Sequence, residues 1–307
     1  MRIATPLLFL SLSVAAQPVF ADPEVSFSFG VMQHTEESVP GIVIAGPFPA
    51  AGVLDSDDFS EHGDSFEATL LDGDAWIRFG FYHEESDQSL IDGSGIGFNV
   101  EPNGIGLFNA TIRAEIEREN TLARVDFSQQ VANYAGIDLY AGGTIARIRD
   151  NMMLFADAPG FLGTTNTVNF NGNSDYLGPV FSARYSVPTG GSLGPFSLDA
   201  FGSLALLYGQ HDMQYRASGT GDLDTVQESS SDTNYGWTGA AELGVTASYG
   251  FSEFGRITAT YQIAHYADAI STPAAILATD RSGNTSTSAE TGALTYHGFS
   301  LGVLFEF

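Results

Sequence analysis

Along most of this chain apolar side chains return at every second position. The clearest run extends from Asn234 to Tyr249, where Trp237, Ala241, Leu243, Val245, Ala247 and Tyr249 share one face with Gly239. Thr238, Glu242, Thr246 and Ser248 share the other face with Ala240 and Gly244. A period of two predicts β-strand, because successive side chains of a strand point to opposite faces. The same alternation runs through Val25 to Val31, Phe66 to Leu70, Ile77 to Phe81, Val125 to Val131, Ile137 to Ile145, Leu177 to Tyr185, Phe196 to Tyr208, Ile257 to Ile263 and Phe299 to Phe307.

The links between these runs alternate in length. Short ones fall at Leu71 to Asp74, Ala132 to Ala135, Pro188 to Gly194 and Gly250 to Glu253. Long ones fall at Thr35 to Gly63, Ser86 to Gly106, Asn151 to Ser174, Ala217 to Thr233 and Asp268 to Gly292. The alternation is unbroken if Leu107 to Val131 is one strand whose charged part, Arg113 to Glu119, stands outside the apolar zone. That gives about 10 strands; a hairpin at Glu119-Asn120 would give 12. Side-chain phase changes between Ile116 and Val125, so the single strand predicts a bulge there.

Strands this long, with aromatic residues near their ends, suit a membrane. Trp237 and Tyr249 lie 12 residues apart. At about 3.3 Å per residue and a tilt near 40°, they span roughly 30 Å of depth, near the spacing of the aromatic girdles of membrane barrels. The predicted fold is an all-β, transmembrane, antiparallel up-and-down β-barrel. Outer-membrane barrels have short periplasmic turns and longer external loops, which places the N- and C-termini on the periplasmic side.

The first residues add an export signal. Arg2 precedes an apolar stretch from Ile3 to Val14, and Val19-Phe20-Ala21 ends in small-residue fashion before Asp22. The pattern predicts a cleaved signal peptide at 1–21 and a single barrel domain at 22–307. The apolar stretch is shorter than the roughly 20 residues of a membrane-spanning helix. Removal of Arg2 leaves ten arginines, no lysine and 37 acids, a mature net charge of −27. Such a chain repels nucleic acid and anionic lipid surfaces, and a phosphate-binding role is not expected of it. Cysteine is absent, so disulfides cannot contribute to stability in an oxidising compartment.

Four segments resemble the Legionella-type major outer membrane protein family: Tyr176-Leu177-Gly178-Pro179, Leu206-Leu207-Tyr208-Gly209, Gly143-Thr144-Ile145-Ala146-Arg147-Ile148 and the closing Gly298 to Phe307. The match runs from about Thr121 to the end, with the first hundred residues following in layout. The resemblance implies a surface-exposed, pore-forming barrel in the outer membrane of a Gram-negative bacterium, exported through the periplasm. It carries over no catalytic residue.

Phe307, last in an alternating apolar strand, resembles the terminal signal read by the barrel-assembly machinery. His211-Asp212 lies roughly where ten-stranded omptin proteases keep a histidine and an acid, but the characteristic spacing is missing. His297 and Ser300 fall on opposite faces of one strand and cannot act as base and nucleophile. No enzyme is expected. The acids Asp55, Asp57, Asp58 and Glu61, and Asp222, Asp224, Glu228 and Asp232, lack the ordered ligands and glycine of a calcium loop and read as solvated loops; no cofactor or metal is expected.

Charges on the polar faces of the strands are predicted to line the lumen, the one place where a lipid-embedded strand keeps them cheaply. They are Glu67, Arg78, Arg124, Asp126, Asp138, Arg184, Asp199, Glu242 and Arg256. Segregated, they would line a passage; paired, they would plug a narrow barrel. The expected function is a porin-like passage for small solutes or ions, with a cation preference from its acidic mouth. The alternative is a closed structural or adhesive barrel acting through its external loops. Expected partners are outer-membrane lipid and lipopolysaccharide, the assembly machinery, and small solutes or cations.

Overall fold

The computed structural model describes residues 23–36, 62–101, 104–158, 164–187, 196–220, 225–270 and 291–307. The residues of the proposed signal peptide lie outside them. So do most of the 35–63 and 268–292 links and the acids Asp55, Asp57, Asp58, Glu61, Asp222 and Asp224.

Ten strands form a closed antiparallel barrel: β1 Glu24–Glu36, β2 His62–Asp72, β3 Ala75–Glu101, β4 Gly104–Tyr134, β5 Ile137–Ala158, β6 Thr164–Ser186, β7 Phe196–Thr220, β8 Thr225–Gly250, β9 Gly255–Ile270 and β10 Thr291–Glu306. Each strand pairs with its sequence neighbours, and β1 closes on β10 from Glu24↔Glu306 to Glu36↔Leu294. Closure satisfies every edge, which an apolar solvent demands. Pro23 and Phe307, the first and last described residues, lie at the end of the barrel that holds the turns Gly73-Asp74 and Ala135-Gly136, here called the lower end. One of those turns, Ala135-Gly136, has positive φ at both residues (53° and 83°), the two-residue geometry that suits the right-handed twist of a hairpin.

Two expectations about links are corrected. The stretches 86–106, 151–174 and 217–233 are not long loops. β3 and β4 stay paired up to Glu101↔Gly104, β5 and β6 up to Ala158↔Thr164, and β7 and β8 up to Thr220↔Thr225. Their Gly, Ser, Asp and Asn content lowers strand propensity, but a partner strand already in register supplies the backbone hydrogen bonds that propensity does not. The second correction concerns the bulge. β4 is one strand as expected, yet its ladder with β5 runs without a shift from Arg113 to Gln130 and breaks at Val131, while the β3–β4 ladder shifts between Ile91 and Gly93.

Burial alternates with the pleat, inside out relative to a soluble barrel. Phe29, Phe127, Ile145, Leu177, Phe181, Leu204, Trp237, Leu243, Phe299 and Leu301 are exposed on the outer wall. The lumen holds the buried groups. At two thin points the strands approach closely: a Cβ on Gly142 would stand 1.9 Å from the Phe127 carbonyl, and one on Gly178 would stand 1.9 Å from that of Leu206.

The apolar wall has a sharp upper boundary. Going upward on seven of the ten strands, Val31 is followed by Gln33, Phe81 by His83, Ile145 by Arg147, Leu177 by Asp175, Tyr208 by Gln210, Ile263 by His265 and Phe299 by His297. The lower boundary carries Tyr134, Tyr185, Phe196, Tyr249 and Phe307. Such an exterior matches a hydrocarbon slab with interfacial aromatic residues.

Candidate functional site

The lumen is filled in layers. At mid-height, Arg78 on β3 donates to Glu67 on β2 (2.6 Å), to Gln262 on β9 (3.1 Å) and to Glu242 on β8. β3 and β8 stand five strands apart in either direction round the ring, so the Arg78–Glu242 contact crosses the whole lumen. Arg124 on β4 donates to the other oxygen of Glu242 (3.2 Å), to Asp126 (2.8 Å) and to Ser203 on β7 (3.2 Å). Glu242 is 4% exposed, Arg78 7% and Arg124 8%. Five charges, two positive and three negative, are thus knitted into one cluster from four strands.

Below this cluster lies an aromatic layer. Trp76 packs edge-on against Tyr140 (5.2 Å between ring centroids) and against Phe201 (6.4 Å), and the Arg78 guanidinium sits 4.8 Å over the Phe201 ring. Above it, Met32, Leu122, Ile148, Val180 and Leu207 form an apolar core with Tyr82, Tyr176, Tyr266 and Tyr296. An apolar core inside the barrel is the opposite of a water-filled channel. Between the ionic and tyrosine layers is a cavity of about 50 Å³, lined in part by the small residues Ser28, Ser65, Gly80 and Ser300. It has room for a few waters.

The remaining predicted lumen charges gather near the lower end. Arg184 on β6 reaches Glu24 on β1 (3.4 Å), again from the opposite side of the ring, and approaches Asp199 (3.9 Å). Asp199 accepts from Ser186, Asp138 accepts from Gln130 and Asn133, and Arg256 pairs with Glu306 (2.8 Å). The nine predicted residues therefore divide into two groups: Glu67, Arg78, Arg124, Asp126 and Glu242 in the central cluster, and Asp138, Arg184, Asp199 and Arg256 at the lower mouth.

A third polar layer escaped sequence reasoning. His34 Nδ1 lies 2.6 Å from Glu84, whose carboxylate also accepts from Tyr82, and Arg118 forks onto Asp150 (2.9 and 2.7 Å), all four charged or titratable side chains being buried. Of these, Arg118 is expected outside the apolar zone from the sequence, and His34, Glu84 and Asp150 receive no role there. The signal was present as parity, since Arg118, Asn120, Leu122, Arg124 and Asp126 occupy one face of β4 without interruption.

At the upper rim His211 and Asp212 part company. His211 is buried beside Ser174 (3.3 Å) and Tyr176, while Asp212 faces out and accepts from Gln210 and Thr233. Burial pushes the His211 imidazole down, and the donors from Gln210 and Thr233 hold the Asp212 carboxyl below its usual range. Pointing to opposite faces, the two cannot share a water. His297 and Ser300 likewise alternate across the wall. Among the described residues no group of three histidines, cysteines or acids could hold a metal.

The fold is that of a membrane β-barrel. No protein-family model matches the sequence, and no curated protein matches it. Solved structures that resemble it in fold include the outer membrane protease OmpT from Escherichia coli, at 9% identity over 96% of this chain and 99% of that one, with a TM-score of 0.44. The translocator domain of the autotransporter NalP from Neisseria meningitidis is 12% identical over 94% and 89%, with a TM-score of 0.38. The attachment invasion locus protein Ail of Yersinia pestis is 11% identical over 94% and 100%, with a TM-score of 0.26.

Proposed function

We propose that this chain is a closed outer-membrane β-barrel of a Gram-negative bacterium that works as a surface platform, presenting its upper hairpins to the exterior. The observation that carries this reading is the Arg78–Glu242–Arg124 cluster bridging opposite walls between an apolar and an aromatic layer. Of the two functions the sequence admits, this geometry favours the closed barrel over the porin-like passage. No catalytic role is assigned to any residue. Export with loss of residues 1–21, periplasmic termini and kinship with the Legionella-type major outer membrane proteins belong to the same proposal and rest on the sequence signatures.

Single-channel recording on refolded protein tests it. The expected record is silent for the wild type. Steady cation-selective steps, most selective at low salt where an acidic mouth acts over a Debye length of about 30 Å at 0.01 M, would overturn the closed reading in favour of a cation-preferring passage.

A further inference from the structure

Bases on the outer wall are confined to one end of the barrel. His83 on β3, Arg147 and Arg149 on β5, His265 on β9 and His297 on β10 all occupy the upper boundary or the first positions above it. Among the described residues the lower boundary carries aromatic side chains and no outward-facing base. For a chain with ten mature arginines and no lysine, this placement puts scarce positive charge where the wall leaves the apolar zone.

Arg147 and Arg149 are successive outward residues of one strand, directly above Ile145, which is 60% exposed. Arg147 is forked onto Asp175 of β6 through Nε and Nη2, leaving Nη1 turned away from that carboxylate. Arg149 is exposed and takes no protein partner; its cross-strand neighbours are Thr121 on β4 and Asn173 on β6. Two further outward carboxylates stand beyond Thr121: Glu119, which accepts from Asn151 (3.3 Å) and lies 3.9 Å from His83, and Glu85, its cross-strand neighbour on β3. On the β5–β6 side of them Arg147, Arg149 and Asp175 carry one net positive charge by themselves, with the Arg149 guanidinium fork free at headgroup height. That fork matches a phosphate, which accepts two parallel N–H bonds.

We propose that the Arg147–Arg149 edge of β5 is a binding site for a phosphate-bearing lipid headgroup of the external leaflet. The proposal rests on reading the chain as a membrane barrel. The lipid source follows from position: the site opens sideways, onto the surface that continues the apolar wall, and not into the lumen. The guanidinium of Arg149 contacts the phosphate, Arg147 Nη1 adds charge, and Asn173 and Thr121 supply neutral donors at its flanks.

The test uses full-length mature protein refolded into phosphatidylcholine vesicles, with a bisphosphorylated diglucosamine glycolipid added at a few mole per cent or replaced by the same glycolipid without phosphates. Native mass spectrometry counts retained glycolipid, and the thermal midpoint of the barrel is followed by its migration with and without heating. Retention and a raised midpoint are expected with the phosphorylated form only. Affinity is expected to fall at least tenfold in the double variant Arg147→Gln, Arg149→Gln, and Arg149→Lys should recover part of it. Equal retention of the dephosphorylated glycolipid, or unchanged binding in the double variant, would overturn the site while leaving the barrel reading intact. Inorganic phosphate giving the same midpoint rise would make it a free-anion site and overturn the lipid assignment. A chain that does not insert into the vesicles at all overturns the membrane reading and this proposal with it.

Discussion

Arg78 and Glu242 meet across the full width of the barrel, 164 residues apart in sequence and on strands that share no backbone ladder. Arg78 also has Glu67 and Glu242 also has Arg124, but the contact between the two forms only when both walls are in place, so it reports closure of the whole ring.

Removing Glu242 takes away the carboxylate that Arg78 and Arg124 share, while Arg78 keeps Glu67 and Arg124 keeps Asp126. Glu242→Ala therefore loses charge-assisted hydrogen bonds and the link across the lumen without stranding a charge, and the expected loss is about 1.5–3 kcal/mol of unfolding free energy. Urea titration of the refolded barrel, followed by heat-modified migration, measures it. A loss below 1 kcal/mol would mean that the cluster is hydrated and the lumen open.

The bridge at the lower mouth should behave differently. Arg184 and Glu24 are partly exposed and meet at 3.4 Å. Arg184→Ala is expected to cost less than about 1 kcal/mol, because solvent screens a pair of this kind. The same titration, run beside Glu242→Ala, gives the contrast directly.

Backbone approach supplies a third comparison. Gly142→Ala would drive a methyl into the Phe127 carbonyl, whereas an added Cβ at Gly80 meets nothing within 4 Å because it faces the cavity. Gly142→Ala is expected to destabilise by about 1–3 kcal/mol, as overpacking does, and Gly80→Ala to change stability by less than about 0.5 kcal/mol. Equal effects at the two sites would show that the walls are not in the register described.

Much of this was readable as period and parity. The alternation around Trp237 and Tyr249 and the continuity of β4 gave the strand number, and Glu67, Arg78, Arg124, Asp126 and Glu242 could be assigned inward because an outward charge at those heights would face lipid. Pairing was not readable: which acid meets Arg78 depends on the stagger of ten strands, and stagger is a property of the closed ring. The layer of His34, Glu84, Arg118 and Asp150 was missed because its residues lie beyond the apolar stretches, where charge alone suggests solvent. The hairpins at 86–106, 151–174 and 217–233 read as loops from composition, because the register they inherit from the strands below leaves no mark on their own residues.

Topology and assembly give a fourth expected outcome. Protease added to intact cells should cut within 35–63 or 268–292 and spare 188–194, and deletion of Phe307 should reduce folded barrel in the outer membrane without altering signal cleavage. Phe307 is exposed at the lower boundary, and its amide donates to the Pro23 carbonyl at 3.1 Å, at the seam where β10 joins β1. Cleavage confined to 188–194 would invert the orientation, and normal folded yield without Phe307 would reduce its role to packing.

The ladder of β3 with β4, continuous but for one shift between Ile91 and Gly93, sets how far the molecule reaches. Above Thr121, β4 runs on from Asn120 to Gly104, 17 residues that at about 3.3 Å each make a ribbon roughly 55 Å long, paired to its tip. A slack loop of the same number of residues would keep its ends near the wall and its tip nowhere in particular; a paired ribbon behaves as a spar. The last pair of the ladder, Glu101↔Gly104, is thereby held at a set distance along the ribbon from the wall, and on the proposed reading as a surface platform a contact made there would be made at a point.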